Sequence, residues 1–171
     1  LNGGSLVTGT GTVVRVGSEG ASAIYAGNGA TVTNNSSNIQ AGKNSSLIYV
    51  KDSGTVVNNL ADLNVAEMGI GFYGNSGSIN NNAKISASGS DAVFFYAKNG
   101  EINNNGVLDA AGNTGVIGIY GENSKIVNNG DISLGNSIIN PNDITQSTYA
   151  IGVYGKGSEI KNTGNIKLGA N

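Results

Sequence analysis

The stretch that decides the fold is residues 118–134, GIYGENSKIVNNGDISL. An aliphatic residue and a tyrosine are followed by a small polar turn, an aliphatic residue, an asparagine pair and a glycine. The stretch ends with an aliphatic–polar–aliphatic step. Because this phrase returns along the whole chain, the sequence indicates a repeat protein, and the repeat length decides which kind.

The repeat length follows from six tyrosines, Tyr25, Tyr49, Tyr73, Tyr96, Tyr120 and Tyr154. Successive members of this series are 24, 24, 23, 24 and 34 residues apart. Each repeat holds three short segments in which apolar and polar residues alternate, which is the pattern of β-strands. Three such strands cannot build a compact sandwich within one repeat, but each can pair with its counterpart in the next repeat.

We therefore predict an all-β fold, a right-handed three-sided parallel β-helix of about seven coils of 23–24 residues. One coil carries an insertion of about ten residues, which we place at residues 135–147. Residues 1–171 are expected to form a single segment of a longer rod that is truncated at both ends. Since open coil ends expose strand edges, we also expect end-to-end self-association of the segment.

Strand alternation predicts which side chains face the interior. In the first strand we place four inward pairs, Ile70/Phe72, Val93/Phe95, Ile117/Ile119 and Ile151/Val153. The second strand is expected to begin with an inward aliphatic residue, at Val32, Val56, Ile79, Ile102, Ile126 and Ile160. The third strand carries the inward pairs Ile39/Ala41, Leu63/Val65, Ile85/Ala87, Leu108/Ala110, Ile132/Leu134 and Ile166/Leu168.

An asparagine follows two residues after each predicted start of the second strand. These residues are Asn34, Asn58, Asn81, Asn104, Asn128 and Asn162. Stacked at the spacing of strands, about 4.8 Å, each amide can bond to the next, and we predict a structural ladder rather than a ligand site. The residue that follows, mostly a second asparagine, is expected to adopt the left-handed conformation of a sharp turn, which Gly106, Gly130 and Gly164 continue.

Charged residues support the same alignment of repeats. Lys98, Glu122 and Lys156 each lie two residues after a repeat tyrosine, and their signs alternate. Glu101, Lys125 and Glu159 alternate in the same way five residues after the tyrosine. Stacked coils would therefore place opposite charges side by side.

Two features are candidates for contact with a partner. The tyrosine rings are expected to point outward, so Tyr96, Tyr120 and Tyr154 would form a stripe that either packs upon itself or receives a sugar or protein. The insertion contains the only proline, within Asn140, Pro141, Asn142 and Asp143. Insertions in solenoids project as loops, often on the binding face, although surface loops are also tolerated without any role.

Composition argues against several other functions. The chain has no histidine and no cysteine, so it lacks the residues of Ser-His-Asp or Cys-His catalysis, and we predict no catalytic, cofactor or metal site. A net charge of −2 disfavours nucleic acid as a partner. The alternatives left open are a polysaccharide-degrading β-helix enzyme, which needs clustered carboxylates, and a purely structural spacer. An ice- or mineral-binding face would need a regular threonine column, and the threonines here are irregular.

The phrases at residues 118–132, GIYGENSKIVNNGDI, and 150–166, AIGVYGKGSEIKNTGNI, resemble passenger repeats of large type Va autotransporter adhesins of Gram-negative bacteria, especially fusobacterial ones. The resemblance covers nearly the whole chain and lies in the order of residue types within the repeat. It implies a secreted virulence rod on the extracellular side of the outer membrane, held by a C-terminal barrel absent from this chain. It also implies attachment to a host or bacterial surface protein or glycan.

Overall fold

The computed structural model describes residues 1–169, which contain twenty β-strands and one 3-10 helix of three residues. The strands form three columns in which every neighbouring pair is parallel. The first column is β3 (Ser22–Ala26), β6 (Ser46–Lys51), β9 (Ile70–Asn75), β12 (Val93–Lys98), β15 (Ile117–Glu122) and β18 (Ile151–Lys156). The second is β1 (Ser5–Val7), β4 (Thr31–Asn34), β7 (Val56–Asn59), β10 (Ser78–Asn81), β13 (Glu101–Asn104), β16 (Lys125–Asn128) and β19 (Glu159–Asn162).

The third column is β2 (Val14–Val16), β5 (Ile39–Ala41), β8 (Leu63–Val65), β11 (Ile85–Ala87), β14 (Leu108–Ala110), β17 (Ile132–Leu134) and β20 (Ile166–Leu168). Its strands β2 and β5 pair with each other, and β8 to β20 form a separate five-stranded sheet. Six coils of three strands each therefore follow the pair β1 and β2. The predicted three-sided parallel β-helix is confirmed.

The interior is a stack of apolar layers, because equivalent residues of successive coils lie directly above one another. Ile79 pairs with Ile102, which pairs with Ile126 one coil later, and all three are fully buried. The rings of Phe72 and Phe95 stack in the same interior with centroids 5.0 Å apart. Burial of such side chains, about 1.5–3 kcal/mol each, is the main term that holds the rod together.

The predicted inward pairs of the first strand are wrong at their first member. Ile70 and Val93 are only half-buried, whereas Phe94, the residue after Val93, is fully buried together with Phe95. Two consecutive residues are therefore buried at this point, without an extra residue in either neighbouring strand. The registers carry this shift through the column, so Ile117 and Ile151 lie with Val93 rather than with the core.

The second strand of the coil marked by Tyr49 is also shifted from its predicted position. Val57, not Val56, aligns with Val32 and with Ile79, and Val57 is fully buried. Val56 and Val57 are consecutive valines. The turn between the first and second strands is longer in this coil than in the others, so the second valine takes the buried position. The predicted inward pairs of the third strand agree with the observed registers.

The inserted loop, residues 135–147, lies between β17 and β18. It contains the 3-10 helix Ile144–Gln146 and closes through an antiparallel bridge between Ile138 and Thr148. That helix is the only one in residues 1–169, so no described helix could span a membrane.

Candidate functional site

The asparagine ladder runs inside the corner between the second and third strands. Its members are Asn34, Asn59, Asn81, Asn104, Asn128 and Asn162, joined by side-chain hydrogen bonds of 2.7–2.8 Å. The predicted member Asn58 is wrong: Asn59 occupies this place. Asn58 instead accepts from Asn80 in a second, half-buried column that continues to Asn103.

Each ladder amide has a second bond within its own turn. Asn81 Nδ2, for example, donates to Asn104 Oδ1 at 2.7 Å and to the carbonyl of Ala83 at 2.8 Å. At the first coil the Thr8 hydroxyl takes the place of an asparagine and donates to Asn34 Oδ1 at 2.8 Å. Because both N–H groups of these buried amides are used, the ladder is a structural element rather than a ligand site.

The turn after the ladder does not use the left-handed conformation that we predicted for it. Left-handed residues lie instead in the two other turns. The turn between the first and second strands has them at Asn28, Asp52, Ser76, Asn99, Asn123 and Gly157, and the turn before the first strand has them at Glu19, Asn44, Met68, Asp91 and Gly115. Gly106 has another reason to be a glycine: a Cβ there would collide with the Ala83 carbonyl of the preceding coil. Gly130 and Gly164 meet the carbonyls of Gly106 and Gly130 in the same way.

The tyrosine column, Tyr25, Tyr49, Tyr73, Tyr96, Tyr120 and Tyr154, lies on the outer surface of the first strands. Successive ring centroids are 4.8–5.1 Å apart. From Tyr73 to Tyr154 the rings are nearly parallel, with interplanar angles of 4–20°. Tyr49 differs, since its ring is perpendicular to both neighbours, at 88° and 87°.

Stacking covers the faces of the central rings. Tyr96 is half-buried between two parallel neighbours, and burial raises the pKa of its phenol, with further contributions from Tyr73 and the Glu122 carboxylate. The predicted candidates Tyr96, Tyr120 and Tyr154 therefore share one surface. The first two rings leave their edges and hydroxyls accessible, and Tyr154 is the most exposed of the three, at 42%.

Opposite charges line the end of the same strands, as the alternation of signs predicted. The Glu122 carboxylate lies 3.9 Å from both the Lys98 and the Lys156 ammonium groups. The second predicted column is also in register, with Lys125 paired to Glu101 and Glu159. These contacts confirm the alignment of the coils, although exposed pairs contribute little to stability, roughly 0–1 kcal/mol each.

The polar residues of the inserted loop bond to the loop itself. Asn140 Oδ1 accepts from the backbone N–H groups of Asn142 and Asp143. Both Asp143 oxygens accept as well, from Thr145 and from Gln146. The hydrogen bond from the Thr145 hydroxyl is the largest of the effects that lower the pKa of Asp143. Asn140, Asp143 and the Pro141–Asn142 turn between them are therefore the framework of the loop.

Besides polar residues, this loop and the segment that follows it expose four large apolar side chains. Ile138 and Ile139 are each 52% exposed, Ile144 is 69% exposed, and Tyr149 is 45% exposed. These four residues were not among the predicted contacts, because the prediction rested on the proline and the polar residues around it. An aliphatic pair outside the alternation of the repeat was the signal that could have found them.

The loop and the tyrosine column share one corner of the rod. The loop leaves the third strand at residue 135, and the Asn136 carbonyl accepts from Gly115 N–H just before β15. It returns through Ala150, whose N–H donates to the Ser137 hydroxyl, directly into β18 and Tyr154. The predicted loop candidates thus precede, in the same coil, the strand that carries Tyr154.

Acidic side chains are dispersed over the surface. Within residues 1–169 no group of three or more carboxylates, histidines or cysteines comes together in a way that could hold a metal ion. Asp109 is paired with Lys84 at 2.7 Å, and this contact lowers the pKa of the Asp109 carboxyl. Comparison with known proteins found no matching family model, no matching curated protein and no matching solved structure.

Proposed function

We propose that this chain is an extracellular adhesin segment, the β-helical stalk of an autotransporter passenger, which attaches to a host or bacterial surface protein or glycan. The observation that carries the proposal is that a loop exposing three isoleucines leads directly into the strand of Tyr154, the last ring of a column of six tyrosines. Exposed apolar patches on a soluble protein mark interaction sites, and tyrosine is enriched among interface residues.

The rigidity of this loop supports the same function. The loop is closed by its own hydrogen bonds and by the bridge between Ile138 and Thr148, so its apolar side chains are presented without being ordered by the partner. A preorganised surface loses less conformational entropy on binding, which raises affinity for a given area. In this account the asparagine ladder keeps the rod stiff, and the loop corner makes the contact.

Adherence of the purified protein to epithelial cells and to bacterial cells tests this function. The loop variant Ile138→Ser/Ile139→Ser/Ile144→Ser is expected to lose most of the adherence while its β-sheet circular dichroism is unchanged. The matched control is Leu60→Ser/Val107→Ser, which removes two exposed aliphatic residues, 50% and 44% exposed, from the corner between the second and third strands. The control is expected to adhere like the unmodified protein.

If the loop variant adheres as well as the control variant does, this segment acts only as a spacer. Release of reducing ends or unsaturated sugars from acidic polysaccharides by the purified protein would favour the polysaccharide-degrading alternative.

A further inference from the structure

A groove lies beside the tyrosine column at the second and third complete coils, which contain Tyr49 and Tyr73. It has a volume of about 420 Å³ and is lined by Tyr49 and Tyr73 on one side and by Met68 and Asn44 on the other, with Ser46 and Ile70 between them. This volume falls within the range of small-molecule sites, roughly 300–1,000 Å³.

A change in one column of the repeat explains why the groove lies here. The outer position three residues before each tyrosine is aliphatic in the later coils, at Ile70, Val93, Ile117 and Ile151. In the first two complete coils the same position holds Ser22 and Ser46, whose hydroxyls lie 2.6 Å apart. Serine is smaller than isoleucine, so space opens beside the tyrosines and polar groups line it.

The ring of Tyr49 changes orientation at the same place. It is perpendicular to Tyr25 and to Tyr73, so neither of its faces has a parallel tyrosine stacked upon it. The later rings, in contrast, cover one another in a nearly parallel stack. Of the tyrosines in this column that have a ring on each side, Tyr49 alone has no parallel ring against either face.

We infer that this groove binds a neutral saccharide, with one sugar ring against Tyr49 and its hydroxyl groups toward Ser46 and Asn44. None of the described residues that line the groove carries a charge, which disfavours an acidic or basic ligand. A sugar ring combines an apolar C–H face with hydroxyl groups at its edge, and the groove offers an aromatic ring beside hydroxyl and amide groups. The inference rests on the proposed function in one respect, that the chain meets surfaces that carry glycans.

The later coils supply the variant that tests the groove. Ser46→Ile gives this coil the residue that its neighbour carries at Ile70, so the variant is expected to fold while the space beside Tyr49 is filled. The matched ring variants are Tyr49→Ala and Tyr96→Ala, which remove an unstacked and a stacked ring respectively. The circular dichroism of each variant reports whether the fold is retained.

The measurement is the nuclear magnetic resonance shift of labelled tyrosine rings during titration with cellobiose, maltose or lactose, and separately with glucuronic acid. The chain has seven tyrosines, so each ring can be followed. We expect at least one neutral disaccharide to shift Tyr49 and Tyr73, with Tyr120 and Tyr154 unchanged. Ser46→Ile and Tyr49→Ala are expected to weaken that binding by about tenfold or more, and Tyr96→Ala by less than about threefold.

The inference is overturned if no neutral disaccharide shifts Tyr49, if Ser46→Ile binds as the unmodified protein does, or if glucuronic acid alone produces the shift. Cell adherence of the same variants separates this result from the proposed function. Adherence that depends on the inserted loop, in a protein whose groove binds no disaccharide, would contradict the groove and leave the adhesin proposal in place.

Discussion

The asparagine ladder and the tyrosine column run along the same rod with the same repeat. The ladder lies in the interior, and the tyrosine column lies on the outer surface. Inside, each amide bonds to the next coil and to its own turn, as Asn104 does with Asn128 and Gly106. Outside, the rings contact one another yet keep edges and hydroxyls exposed. Repetition thus produces a closed polar column that stabilises the rod and an open aromatic column that a partner can reach.

The largest expected effect comes from a ladder residue and its neighbour in sequence. Asn59→Ala leaves Asn34 Nδ2 and Asn81 Oδ1 without their partner in the interior, at about 1–3 kcal/mol for each group. Asn58→Ala removes a half-buried bond and is expected to cost about 1 kcal/mol or less. Urea unfolding of both variants measures the difference, and equal losses would contradict the assignment of Asn59 to the ladder.

Glycine substitutions test how closely the coils approach at the ladder corner. Gly106→Ala places a methyl group against the Ala83 carbonyl and is expected to destabilise the rod by about 1–3 kcal/mol. The control is Gly112→Ala, where a Cβ would meet nothing within 4 Å. Thermal unfolding should leave the control unchanged or slightly more stable, and a neutral Gly106→Ala would show that the corner is less tightly packed.

On the outer column, a stability loss should depend on how many stacked neighbours a ring has. Tyr96→Ala removes two parallel contacts, at 4.9 and 5.1 Å, and is expected to cost about 1–2 kcal/mol. Tyr25→Ala removes one edge contact at the end of the column and should cost less. Equal losses in urea unfolding would mean that strand propensity, rather than ring stacking, determines the contribution of these tyrosines.

High pH should affect the tyrosine column and not the ladder. The pKa of Tyr96 is raised above 10.0, so the folded state holds the phenol proton more tightly than the unfolded state does. Its contribution to stability is therefore complete below pH 10 and is lost as the pH rises through the folded-state pKa. Ultraviolet titration of Tyr96→Phe against the unmodified protein should remove a phenol that ionises later than a free tyrosine, and a titration that is unchanged above pH 10 would contradict this assignment.

The smallest effect is expected at the surface charges beside the tyrosines. Glu122→Lys places three positive charges in one column and should lower stability by about 1 kcal/mol or less. Added salt should reduce this loss, because exposed charges are screened. The matched variant Glu122→Gln removes the charge without reversing it, and a loss as large as that of Glu122→Lys would argue against repulsion as the cause.

Much of the fold could be predicted, because spacing alone carries the information in a solenoid. Tyrosines 23–24 residues apart predicted three parallel strand columns, and alternating signs around Glu122 predicted the register that the contacts confirm. Apolar alternation also predicted the third strand, as at Leu108 and Ala110. Because these signals repeat, the strand assignment in one coil supports the same assignment in the next.

The errors fall where neighbouring residues offer equivalent choices. In Val56-Val57-Asn58-Asn59 either asparagine could enter the ladder, and the length of the preceding turn decides between them. Strict alternation also missed the local break in the pattern that buries both Phe94 and Phe95. In the loop, the sequence singled out Asn140 and Asp143, but hydrogen bonds that depend on the loop conformation use their side chains and leave Ile144 exposed.

The most direct test of the loop corner as the contact surface uses the absence of cysteine from the chain. Ile144→Cys in the loop and Leu60→Cys at the corner between the second and third strands each provide one exposed site for coupling to a bulky polyethylene glycol maleimide. The unmodified residues are 69% and 50% exposed. Cell adherence is then measured before and after coupling. We predict that the group at position 144 abolishes adherence and that the group at position 60 leaves it unchanged; adherence that survives coupling at position 144 would contradict the account.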